Sequence, residues 1–361
     1  MKVFSAPLSV FISITYTCNL RCKHCAVYWG QNSYRDLETD TWLRFFRELS
    51  DLKVFRVRIS GGEPLMRKDI WQLMDSIHEL PMRLALNTNA ILVDRQCAQR
   101  LAQYDKMDEI MVSLDGSCPE THDPLRGEGT FRAVIHGVEH LAQFPVPLSF
   151  YCTVNRYNVN DLEGIAKLAK HFECMAIKFN DLLPEGRGLE NYKELALSRH
   201  EWTMALGRLR ELRRDYGPMI SGTMLEQGEI YDSLSQLTPE EQLDASSNTL
   251  CGCGALIQEC AVRPDGWIVP CDRLPSLRAG HIDERRFAEI WRSSEVFEQF
   301  RKRREISLRD LPECRGCLYK SRCTGGCPAV PSALFGNFNT RDPLGCYRVY
   351  LGMEDFRGIS A

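Results

Sequence analysis

The sequence predicts an α/β fold: a parallel sheet, closed or partly closed on itself, with a smaller cysteine-rich region behind it. Three observations carry this reading. Short apolar runs alternate with helical stretches from residue 10 to about residue 214. The helical stretches start at or near polar residues able to cap free amide groups. Nine of the sixteen cysteines then fall between Cys251 and Cys346, after the alternation has stopped.

Six strands are expected, at residues 10–16, 54–60, 83–87, 109–114, 147–154 and 174–179, the first of them rich in β-branched and aromatic side chains. Between the first two, Leu37, Trp42, Phe45, Phe46 and Leu49 recur at helical spacing and mark one buried face. Further helices are expected over 69–80, 94–104, 130–144 and 161–171, and another near 200–215. Six strand–helix units imply ligands at the C-terminal strand ends. Residues 1–215 are therefore read as one domain. Residues 216–248 turn polar, with Gly-Pro, Ser-Gly and Thr-Pro breaks, and read as a linker holding a short helix around 239–243. Residues 249–361 form the cysteine-rich domain. There, Pro264-Asp265-Gly266 makes a tight turn between short strands at 259–263 and 267–271. The basic run 301–304 reads as a solvated helix end.

With 361 residues, 44% of them hydrophobic, the chain can bury a core without disulfide staples. Twelve of the sixteen cysteines have metal-like spacing, which favours a reduced, cytoplasmic, metal-loaded protein. A formal net charge of −3 gives no basic surface for nucleic acid. No run of eighteen apolar residues exists, so no membrane helix is expected. Lys2 and the apolar residues 6–14 loosely resemble a secretory signal, but Tyr16 and Thr17 do not fit a cleavage site. Cys97, Cys118, Cys152 and Cys174 lie outside both clusters and read as small packing residues, with a hydrogen-donor thiol at Cys152 or Cys174 as the alternative.

Chemistry concentrates first in Cys18-Asn-Leu-Arg-Cys22-Lys-His-Cys25, directly after the first strand. Three soft thiolates can hold three corners of a cubane iron–sulfur cluster and leave one iron open. His24 reads as a spacer rather than a fourth ligand, and a structural zinc would want a closed set of four. The run C-x3-C-x2-C, followed after the second strand by Ser60-Gly61-Gly62-Glu63-Pro64, resembles the signature of the radical S-adenosylmethionine (SAM) enzymes. That resemblance implies a partial (βα)6 barrel. It also implies that the open iron chelates the methionine part of SAM and that one electron releases a 5′-deoxyadenosyl radical, which abstracts hydrogen from substrate C–H. The cofactor does the hard chemistry.

The same resemblance assigns Gly61, Gly62, Glu63 and Pro64 to the SAM amino group, with Glu63 accepting from the amine. Asn87, Ser113 and Asp115, at strand ends, suit the ribose hydroxyls and carboxylate of SAM; turn-forming roles serve Asn87 and Asp115 equally well. Arg126, in His122-Asp-Pro-Leu-Arg126-Gly, is expected to pair with the SAM carboxylate. Asn155 and Leu183 would close the adenine side.

In the last third, Cys253 and Cys271 flank the hairpin, and Cys314-x2-Cys317-x5-Cys323-x3-Cys327 precedes Cys346. This pattern resembles the SPASM extension of peptide-modifying radical SAM enzymes and implies two auxiliary [4Fe–4S] clusters, three in all. Cys314, Cys317, Cys323 and Cys346 would hold the outer cluster, and Cys327 would cross back to Cys253 and Cys271 at the inner one. The fourth inner ligand is Cys251 or Cys260. Cys251 is favoured because Cys260 lies within a strand, although Cys251-x-Cys253 is closer spaced than the family pattern. Asp272 falls where such maturases place a carboxylate base; a salt bridge to Arg273 or Arg278 is the competing role.

The expected activity is oxidative modification or cross-linking of a ribosomally made peptide. Tailoring of a small molecule or tetrapyrrole, such as haem-precursor decarboxylation, is the alternative, and a non-enzymatic electron carrier the second. Expected partners are the peptide, a one-electron reductant such as flavodoxin or ferredoxin, and a separate leader-binding protein, since no peptide-binding segment precedes Val10.

Overall fold

The computed structural model describes residues 4–26, 35–243 and 248–353. Its strands, in chain order, are β1 (Ser9–Ser13), β2 (Arg56–Ser60), β3 (Arg83–Thr88), β4 (Met107–Ser113), β5 (Leu148–Val154), β6 (Ala176–Asp181), β7 (Ile220–Ser221), β8 (Glu259–Val262), β9 (Trp267–Val269) and β10 (Gly280–His281). They form one open sheet in the order β10-β9-β8-β1-β2-β3-β4-β5-β6-β7. Every pairing from β8 through β7 is parallel, while β8–β9 and β9–β10 are antiparallel.

The helices α1 (Thr39–Asp51), α2 (Ile70–Glu79), α3 (Arg95–Leu101), α4 (Pro119–Arg126), α5 (Thr130–Leu141) and α6 (Leu162–His171) follow β1 to β5. Trp42, Phe46 and Leu49 of α1 are fully buried against Val57 and Ile59 of β2, which alternate with the part-exposed Arg56 and Arg58. That alternation gives the sheet one apolar face under the helices and one polar face lining a lumen. Burying each large apolar side chain contributes roughly 1.5–3 kcal/mol. Inside the lumen, Arg58 of β2 and Lys178 of β6 share Glu109 of β4 at 2.9 and 2.7 Å.

The fold class expected from the sequence is the one observed, and all six expected strands form. The first ends at Ser13, earlier than expected, because Tyr16 N and the Thr15 hydroxyl turn out of the sheet to Asp36 at 2.8 and 2.6 Å. Helix α4 was not anticipated: its composition is polar and Pro124 lies inside it, but Pro119 in the first turn suits a helix start.

The stretch read as a linker is more than a bridge. It contributes β7, parallel to β6 through Ile177↔Ile220, and a helix at Thr223–Ser235. A two-residue strand carries no periodic signal, so pairing alone defines it. The hairpin of the cysteine-rich region likewise extends the sheet: β8 pairs parallel with β1 in the register Val10↔Cys260 and Ile12↔Val262.

The basic run at 301–304 is not a solvated face. Arg303 is 2% exposed and donates to the carbonyls of Leu250 and Phe338 at 2.6 and 2.7 Å, and Arg301 and Arg304 also bond to carbonyls. Irregular loops leave carbonyls unpaired, and a guanidinium with five donors satisfies several at once.

Candidate active site

The cysteine loop leaves β1 and is held by the loop after β2. Gly62 N donates to Thr15 O and Glu63 N to Thr17 O, both at 2.8 Å. A Cβ on Gly62 would stand 2.2 Å from Thr17 O, and Gly61 has φ +139° with its Cβ position 2.6 Å from Thr15 O. The glycine pair therefore serves close approach of protein to protein, where close approach to a ligand had been expected.

Glu63 belongs to the same junction. Its carboxylate is 1% exposed and accepts from Thr88 Oγ1 at 2.8 Å, Asn89 N at 2.7 Å and Leu65 N at 3.2 Å. Burial pushes its pKa up to about 7, against those three bonds. It ties the loop after β2 to the end of β3. Pro64 is buried and opens the short turn that follows.

The three thiols lie on a graded rim. Cys18 is exposed, Cys25 intermediate and Cys22 buried at 8%. Loss of water around the sulfur, and then the neighbouring Cys22 and Cys25, push the Cys18 thiol up to about 11. Burial raises Cys22 too, with Arg126 opposing. Neutral thiols crowded in this way suit a cationic iron core, which deprotonates a coordinating thiol outright. A second clamp comes from beyond β6. Arg187 N donates to Cys25 O at 3.1 Å, Asn191 Nδ2 donates to Lys23 O at 3.1 Å, and a Cβ on Gly188 would stand 3.2 Å from His24 O.

Beneath the loop, Arg126 Nε donates to Asp115 Oδ2 at 2.5 Å, and its Nη1 lies 3.9 Å from Cys22 Sγ. Asp115 is fully buried, and its other oxygen accepts from Thr153 N at 2.7 Å. Asp115 thus positions Arg126. Burial would raise its carboxyl, yet Arg126 and then His24 hold it below its usual value. His24 Nε2 stands 3.6 Å from Asp115, and burial keeps the imidazole neutral, at about 4.

Asn155 is held by similar contacts. It is wholly buried, with Nδ2 donating to Thr153 O and Oδ1 accepting from Tyr157 N, so it shapes a turn. Asn87 Oδ1 accepts from Arg58 at 3.2 Å within the lumen, and Ser113, half-buried, shares the lumen face of β4 with Glu109. Leu183, half-buried, starts the loop that clamps the cysteines.

In the last third, Cys314, Cys317, Cys323 and Cys346 line one cavity. Cys253 and Cys327 lie close enough to influence each other, and both face Arg303. Cys271 Sγ is 3.1 Å from Asp272 Oδ1. Cys260, 2% exposed, belongs to the apolar core beside Val10 and Val262, so it packs. Cys251, half-buried, lies near Asn248 at 3.6 Å. Cys152 and Cys174 are buried in the same core, Cys152 on the helix side of β5 away from the lumen. Among the described residues, no three His, Cys, Asp or Glu converge on a single ion's position.

Between the two thiol regions stands Glu185, to which the sequence reading gave no role. Glu185 is 6% exposed and 3.6 Å from Arg273, and among the described residues its Oε1 has no hydrogen-bond partner. Arg273 also bonds Tyr151, while Arg278 stacks on Trp267, so neither forms the close salt bridge to Asp272 considered above. Burial pushes Glu185 up to about 7, with Arg273 opposing. Glu185 lies in Leu183-Pro-Glu-Gly-Arg187-Gly, whose reading rested on Leu183; its place after β6 could have flagged it.

The sequence matches the family model described as the radical SAM superfamily over residues 12–169, and that of an iron–sulfur cluster-binding (SPASM) domain over residues 253–318. A mycofactocin maturase MftC from Mycobacterium ulcerans is 28% identical over 90% of this chain and 84% of its own. An AdoMet-dependent heme synthase from Methanosarcina barkeri is 29% identical over 95% and 97%. Streptococcus suis SuiB, solved with its precursor peptide SuiA, superposes with a TM-score of 0.73 at 17% identity over 95% and 76% of the two chains. AdoMet-bound anSMEcpe superposes with 0.68 at 21% identity over 96% and 97%. At these identities the structural matches speak to the fold.

Proposed function

This chain belongs to the radical SAM enzymes that carry a C-terminal SPASM domain, and from that premise we propose that it oxidatively modifies or cross-links a ribosomally made peptide. SAM and iron–sulfur clusters are its cofactors. We assign one [4Fe–4S] cluster to Cys18, Cys22 and Cys25, an outer one to Cys314, Cys317, Cys323 and Cys346, and an inner one to Cys251, Cys253, Cys271 and Cys327. The N-terminal cluster and SAM, when bound, supply a radical able to abstract hydrogen from an unactivated C–H bond.

The chain's own residues orient that site. Arg126, held by Asp115, presents its remaining guanidinium edge toward Cys22 and its surroundings. The backbone of residues 61–63 offers carbonyls to an amine. The loop from Leu183 clamps the end of the cysteine loop through Arg187 N and Cys25 O. Asp272 is the expected acceptor of the substrate proton.

The balance of charge in the lumen carries the choice of substrate. Arg58, Lys178 and Arg273 are set against Glu109, Glu185, Asp272 and Glu259. A largely neutral peptide fits that balance, whereas a tetrapyrrole with several carboxylates would leave like charges facing one another. The mycofactocin maturase relatives and the peptide-bound neighbour support the same reading. Haem-precursor tailoring is the second reading, supported by the heme synthase relatives.

A one-electron reductant (flavodoxin or ferredoxin) and a leader-binding protein complete the proposed system, in the cytoplasm, with neither nucleic acid nor membrane as partner. Among the described residues, no helix is long and apolar enough to cross a membrane. The test is anaerobic reconstitution with deuterated candidate peptides and, in parallel, a deuterated coproporphyrin. Label in 5′-deoxyadenosine from a peptide is expected; label from the porphyrin alone overturns the proposal.

A further inference from the structure

Arg341 and Asp342 stand side by side shortly before Cys346, yet they face different thiol sets. Arg341 Nη1 donates to Cys346 Sγ. Burial raises the thiols of Cys314, Cys317 and Cys323, and Arg341 is among the groups that oppose it at all three. Asp342 is 7% exposed and turns the other way. Its Oδ2 accepts from Cys327 N at 3.2 Å, and its Oδ1 accepts from Leu344 N and Gly345 N at 2.9 and 3.0 Å. Its own amide donates to Gly325 O at 2.8 Å, and a Cβ on Gly326 (φ +71°) would stand 2.5 Å from the Asp342 Cβ. Glycine there lets the chain entering Cys327 close on the carboxylate. Burial pushes the Cys327 thiol up to about 12, and Asp342 is the next influence in the same direction. The inner set holds cations as well: Arg303 and Arg304 act on Cys253, and Arg273 acts on Cys271 beside Asp272. What separates the two sets at this point of the chain is a guanidinium on Cys346 and a carboxylate on Cys327.

A cluster held by four thiolates is anionic, and its potential follows the charges and hydrogen bonds at its sulfurs. A cation bonded to a ligand sulfur favours the reduced form, whereas a carboxylate that engages the amide beside one disfavours it. We propose that Arg341 and Asp342 together set the outer auxiliary cluster at a higher reduction potential than the inner one, so that an electron left on the inner site by substrate oxidation passes outward and not back. The step moves one electron from the inner cluster to the outer, oxidising the first and reducing the second, and no proton. This rests on the assignment of clusters to Cys314, Cys317, Cys323 and Cys346 and to Cys251, Cys253, Cys271 and Cys327.

The test is a potentiometric titration of reconstituted holoenzyme read by electron paramagnetic resonance. Cys271→Ala and Cys317→Ala identify the inner and outer signals, each losing one signal and about four irons. Full iron in either overturns the cluster assignment, and this inference with it. In wild type the outer signal is expected to be reduced first, and the reverse order overturns the inference. Arg341→Met is expected to lower the outer potential by about tenfold in the one-electron equilibrium, about 59 mV, and Arg341→Lys to restore most of it. Asp342→Asn is expected to raise the inner potential by a similar factor, and by more than the outer, whose cavity Asp342 also borders. Loosened packing would expose both sites alike, so opposite shifts from adjacent residues do not arise from a merely structural role. Shifts of one sign, or none, in variants that keep their iron overturn the inference. Loss of the inner iron from Asp342→Asn overturns that residue's part, and an outer potential unmoved by Arg341→Met, or not restored by Arg341→Lys, overturns the other.

Discussion

The two thiol regions are built on opposite plans. The N-terminal cysteine loop rests on a sheet whose apolar face is filled by Trp42, Phe46, Val57, Ile59 and their neighbours, and it is clamped by backbone from the loops after β2 and β6. Beyond Arg303 the chain has short helices, single 3-10 turns and, apart from Ala329 in the main core, a share in two small apolar clusters, Leu250–Leu308–Leu311–Cys314 and Tyr231–Leu234–Leu237–Tyr347. Where the core is large, the metal site is an addition to a fold that stands without it. Where the core is small, the metal must itself supply folding free energy.

Chelating the iron without oxygen should therefore produce the largest contrast. Amide exchange is expected to rise toward unprotected values over residues 308–353 and to stay slow in β2 to β6; equal loss in both regions would break the comparison. Next in size is Gly62→Ala, whose Cβ meets Thr17 O. It is expected to lower 5′-deoxyadenosine formation more than about 100-fold and to remove about four of about twelve irons, the auxiliary clusters staying in place by electron paramagnetic resonance.

Asp115→Asn leaves Arg126 buried without its counter-charge. Urea unfolding of the barrel should lose about 3–5 kcal/mol, while the auxiliary iron is retained. In the last third the corresponding change is Arg303→Met, which abandons buried carbonyls at a cost of about 1–3 kcal/mol each. It is expected to free the cluster assigned to Cys253 and Cys327, which Arg303 faces, before it melts the barrel, as iron release during denaturation would record.

The smallest effect concerns pH. Burial pushes the Glu109 carboxyl up, but Lys178 and Arg58 outweigh it and bring it below its ordinary value. A carboxyl lowered on folding stabilises the protein above its unfolded pKa, and this contribution is lost as pH falls through the folded one. As pH falls below about 4.3, the ordinary glutamate value, wild type should therefore lose on the order of 1 kcal/mol that Glu109→Gln does not lose. A parallel acid dependence in the two proteins would remove Glu109 from the account.

Much of this was legible in the chain. Alternation of apolar runs with helical stretches gave the six strands, and the spacing of thiols marked both metal regions. Glu63 shows where such reading stops. The Gly-Gly-Glu-Pro loop was visible, but its carboxylate turned inward to Thr88 and Asn89, residues more than twenty positions away. Asp115 and Asn155 went the same way, since a polar residue at a strand end can face a ligand or a neighbouring backbone, and sequence does not distinguish them.

By itself, the sequence determined the period of the sheet and the places where soft donors gather, because both are local: a side chain's face follows from its parity along a strand, and ligand sets follow from short spacings. Tertiary structure alone decided which polar groups remain open. Burial charges every unpaired donor or acceptor a desolvation cost, so partners are chosen by proximity in space. Glu63, Arg303 and Cys260 were given over to holding the fold, and Glu185 and Arg273 were left facing the lumen.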